Sequence, residues 1–63
     1  MPGGLEITQR AIEDFAKVQE NMMLAKEENA TRTYANLKKE YISLKALLMV
    51  AGVNLTELDR IKE

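Results

Sequence analysis

The sequence contains no cysteine, no histidine and no tryptophan. Without cysteine there are no disulfides and no thiolate-held metals. Without histidine the commonest metal ligand and the commonest general base are gone. One proline, Pro2, and three glycines leave most of the chain uninterrupted. Neither charge sign is in excess: nine Lys and Arg face ten Asp and Glu, a formal charge of -1. Chains that live on nucleic-acid phosphate carry surplus base, because phosphate contacts supply most of their affinity. The longest apolar run, Ala46 to Ala51, is far too short to span a bilayer. The opening MPGGLEITQR has no basic region feeding an apolar segment, so no leader and no membrane partner are expected. The lack of cysteine fits a cytoplasmic setting.

What is present describes a helical chain. Of its 63 residues 46% are hydrophobic and 30% charged. That length makes one small domain, near the lower limit for an independent core. With disulfides and metals set aside, oligomerisation is the remaining support for so small a fold. Residues 1–5 read as a flexible lead-in and 6–63 as a single helical domain.

Apolar residues from Ala11 onward step at helical spacing: Ala11, Phe15, Val18, Met22 and Ala25. Ile12, Ala16 and Met23 lie beside them, giving an arc about half the cylinder wide, as suits a helix with two neighbours. Glu6, Glu13, Glu20 and Glu27 fall opposite, with Arg10 and Lys17. A second seam, Tyr34, Leu37, Tyr41, Leu44, Leu48 and Ala51, is out of phase with the first. Extending the first seam from Ala25 lands on Asn29, Arg32 and Asn36, all polar. The phase break predicts a turn within Glu28–Arg32, with Asn29 left-handed and Thr31 capping the next helix. The alternative is one long helix with a stutter. Ala35, Ile42, Ala46 and Met49 form a further stripe on the second helix that a lone hairpin cannot cover.

Gly52 reads as a left-handed helix terminus with Val53 reaching back to Leu48. Asn54 and Glu57 then form a capping box, stapled by Val53 and Leu58, which predicts a third helix. The expected fold is all-α: helices near 6–28, 32–51 and 54–62. The first two form an antiparallel hairpin, and hairpins pair into a dimeric four-helix bundle.

The run AGVNLTELDRI resembles the turn and reading helix of bacterial helix-turn-helix regulators, with Gly52, Val53, Asn54, Leu58 and Ile61 in matching places. That resemblance implies DNA contact through residues 46–62, from Asn54, Thr56, Arg60 and Lys62. Glu57 and Asp59 depart from it, since they place negative charge where bases and phosphate would lie. The central hairpin and Phe15-Ala16-Lys17-Val18-Gln19 resemble the Rop-like plasmid RNA-binding regulators, which are dimeric hairpins. Here Phe15 departs from their pattern, because it falls in the middle of the apolar arc. Lys38, Lys39 and Lys45 with Arg32 offer a modest basic side for such an RNA.

No residue set predicts catalysis. The glutamates face away from the apolar arc, whereas paired acids for acid-base work need a pocket, and Ser43 and the threonines have no neighbouring base. Neither a cofactor nor a metal is expected. The leading expectation is a non-catalytic adaptor or regulator that binds itself and an unidentified protein partner. Its oligomer interface would comprise Ala35, Ile42, Ala46 and Met49 with Ile12 and Met23. DNA binding ranks second and RNA binding third.

Overall fold

The computed structural model describes residues 4–62, with side chains from Glu6 onward. Two helices, α1 (Gly4–Glu27) and α2 (Thr31–Val50), pack as an antiparallel hairpin. The α1 seam reads as expected: Ala11, Phe15, Val18, Met22 and Ala25 are all buried. From α2, Tyr41 and Leu48 are buried, while Tyr34, Leu37 and Leu44 pack half-buried around them. The Phe15 and Tyr41 rings stack, with centroids 5.4 Å apart and planes at 13°. A single stuttering helix is thereby excluded.

The turn uses helix-end chemistry. Asn29 sits at φ 57, Ala30 N–H donates to Ala25 C=O at 2.8 Å and Asn29 N–H to Lys26 C=O at 3.2 Å. These paired bonds satisfy two of the carbonyls that a helix end leaves orphaned. Thr31 is not the cap. It is the first residue of α2, Ala30 holds the cap position without a side-chain bond, and the Thr31 hydroxyl donates instead to Asn29 C=O. The lead-in is also shorter than expected, because Gly4 and Leu5 already belong to α1; its first three residues lie outside the described residues.

The same terminal motif closes α2. Gly52, at φ 80, donates to Met49 C=O at 3.1 Å and Val53 donates to Leu48 C=O at 3.0 Å. Beyond it the expectation of a third helix over 54–62 fails. Asn54 Oδ1 accepts from Thr56 N–H at 2.9 Å, the bond of a helix cap, but no helix grows from it. One further backbone bond, Asp59 N–H to Leu55 C=O at 2.9 Å, closes a solitary turn. The next amides, those of Arg60, Ile61 and Lys62, donate to side chains of Gln19 and Asp59 instead of continuing a helix. Residues 53–62 thus form a strap that packs Val53, Leu55, Leu58 and Ile61 against the hairpin core.

The result is an elongated, flattened body of 43 × 21 × 14 Å. Its radius of gyration is 12.3 Å, against about 10.6 Å for a compact domain of this length.

Candidate functional site

The strap is gripped at two points. Gln19 lies on α1 one residue past Val18, within the apolar arc, and is only 1% exposed. Its carboxamide donates to Leu58 C=O at 2.8 Å and accepts from Arg60 N–H at 2.6 Å and Ile61 N–H at 3.1 Å. It also donates to Phe15 C=O at 3.3 Å. A buried amide needs such partners, because an unmet polar group costs about 1–3 kcal/mol. Among the described residues no buried side-chain polar atom is left unmet.

The second grip is ionic. Asp59, also buried, accepts from the Tyr41 hydroxyl at 2.6 Å and from Lys62 N–H at 2.8 Å. Its other oxygen lies 2.8 Å from Lys45 Nζ, and that ammonium sits 5.6 Å from the Tyr41 ring centroid. Burial alone would raise the Asp59 pKa. The hydrogen bonds from Lys45, Tyr41 and the Lys62 amide outweigh it and hold the carboxyl below its ordinary value. Lys45 is held above its ordinary value, chiefly by the bond to Asp59.

At about 100° per residue, Gln19, Ile12 and Met23 share one flank of the α1 seam. Lys45, Lys38, Ile42 and Met49 share the matching flank of α2. In an antiparallel pair both flanks open on the same face, and the strap lies there. It runs from the open end of the hairpin toward the turn, where Arg60 and Ile61 share a shallow depression with Met23, Lys26 and Tyr34.

The residues expected at an oligomer interface divide accordingly. On α2, Ile42 is 54% exposed, Met49 is 62% exposed, and Ala35 and Ala46 are exposed beside them. On α1, Met23 is exposed, whereas Ile12 is half-buried against the core. The strap runs between the two groups, so they do not form one continuous surface.

The candidate nucleic-acid contacts also fall on the strap. Asn54, Thr56, Arg60 and Lys62 are exposed, but they stand on no helix. The main-chain amides of Thr56, Arg60 and Lys62 are committed to internal bonds. In the Rop-like run, Phe15 and Gln19 are both buried, so neither presents itself to RNA. Sequence reasoning missed Gln19, Tyr41, Lys45 and Asp59 as a set. The available signal was a glutamine inside an apolar arc.

Among the described residues no three His, Cys, Asp or Glu side chains converge on a point that could hold a metal. No helix among them is long and apolar enough to cross a membrane. Set against protein-family models, characterised proteins and solved structures, the chain matches none.

Proposed function

We propose that this chain is a small non-catalytic interaction protein, an adaptor or regulator, that works as a homo-oligomer through protein–protein contacts. One observation carries the reading. The chain exposes 4950 Å², whereas a folded monomer of 7.1 kDa exposes about 4,100 Å². The excess is close to the ~800 Å² that each partner contributes to a standard interface. The exposed α2 stripe of Ala35, Ile42, Ala46 and Met49 supplies apolar surface for such a contact.

Size-exclusion chromatography with light scattering tests it. The expected mass is a multiple of the chain mass at micromolar concentration, and Ile42→Asp shifts it toward the single chain. A parent chain that stays monomeric at every concentration overturns the reading.

A further inference from the structure

We propose that two copies of the chain exchange straps, each laying its residues 53–62 in the groove between α1 and α2 of the other. The inference rests on the homo-oligomer reading and adds to it which segment joins the copies.

Three observations point there. First, the strap is held as a separate ligand would be. Gln19 binds three of its peptide groups, and Tyr41 and Lys45 bind its one buried carboxylate. No backbone ladder ties strap to helices; the backbone bonds at the junction with α2, from Gly52 and Val53, reach only Met49 and Leu48. A groove that recognises a segment through such contacts accepts the identical segment from a second copy, which makes exchange a low-cost route to a dimer.

Second, the junction is built on a residue that can straighten. Gly52 holds φ 80, and a Cβ there would meet nothing within 4 Å. The bend is held from its far side, by Val53 against the core, and not by anything that touches Gly52 itself. Glycine passes between left-handed and right-handed backbone about equally readily, so re-aiming the strap costs little beyond the two junction bonds.

Third, apolar side chains crowd the end from which the strap departs. Leu47, Met49 and Val50 precede the junction, Ile7 lies in the first turn of α1, and all four are exposed, Val50 by 88%. Crossing straps bring the two junctions together, which gives this exposed apolar end of one copy the same end of the other as a neighbour.

The test uses the full chain carrying Met23→Cys and Ile61→Cys. Both positions line the depression at the far end of the strap, and the chain has no other cysteine. Treated with a short bismaleimide at a concentration where light scattering gives a dimer, most cross-linked product should run at twice the chain mass on a denaturing gel. A dimer by light scattering whose cross-links stay within single chains overturns strap exchange and leaves the homo-oligomer reading standing. A monomer throughout overturns both. Should Ile61→Cys disturb the fold, Lys26→Cys with Arg60→Cys probes the same depression from two exposed positions, with the same outcomes.

Discussion

Tyr41 and Asp59, eighteen residues apart in sequence, meet through a 2.6 Å hydrogen bond from the phenolic hydroxyl to the carboxylate. The bond joins the middle of α2 to the strap at a point where both residues are buried. Hydrogen bonds to charged groups are worth about 1.5–3 kcal/mol. Tyr41→Phe keeps the ring against Phe15 and removes the hydroxyl. Urea unfolding of this variant should show a loss of about 1.5–3 kcal/mol, a large share of the stability of so small a domain. An unchanged midpoint would mean the bond contributes nothing.

Gln19→Leu should loosen the strap more than the hairpin. The substitution leaves the Leu58 carbonyl and the Arg60 and Ile61 amides without partners. A strap at the surface can regain those bonds from water only by lifting away. Amide hydrogen exchange should therefore accelerate at Arg60 and Ile61 while amides in the middle of α1 stay protected. Uniform acceleration along the whole chain would instead make Gln19 a support of the global fold.

The ionic grip sets a pH window. Asp59 titrates below its ordinary value when folded, so its contribution is complete above the unfolded value of about 3.9 and disappears as pH falls through the lower folded value. Lys45 is shifted upward, so its contribution is complete below about pH 10.4 and disappears as pH rises through the higher folded value. The stability gap between the parent and Asp59→Asn should be steady from about pH 5 to about pH 9 and shrink below about pH 4. A gap that persists unchanged in acid would separate Asp59 from this linkage.

Gly52→Ala isolates conformation from packing. The new methyl has open space around it, so only the left-handed backbone is penalised, by about 1–2 kcal/mol. Thermal unfolding should show a loss of that order. The loss should be smaller for Gly52→Asn, because asparagine tolerates this region better.

The hairpin was legible because its information is local and periodic. Ala11, Phe15, Val18, Met22 and Ala25 repeat at helical spacing, and the structure buries all five. Asn29 could be assigned to the turn because the seam changes phase around it, and it is left-handed as expected. The strap was not legible. Asn54 and Glu57 match a helix start when only neighbours within four residues are considered. The groups that decide the outcome are about forty residues upstream, on Gln19. Three-residue spacing among Leu55, Leu58 and Ile61 suits a helix face and a strap equally, so periodicity could not separate them. On α2 the stripe through Ile42 was visible as a pattern. That it lies beside the strap and not beneath it depends on where Asp59 finds Tyr41 and Lys45.

Gln19 holds peptide groups, which every amino acid supplies, and ignores the side chains attached to them. Thr56, Glu57, Arg60 and Lys62, pointing to solvent, can thus mutate without loosening the grip, provided Asp59 and the aliphatic anchors persist. The outward edge of the strap is where this lineage could recolour its surface charge from one descendant to the next while the architecture underneath stands still.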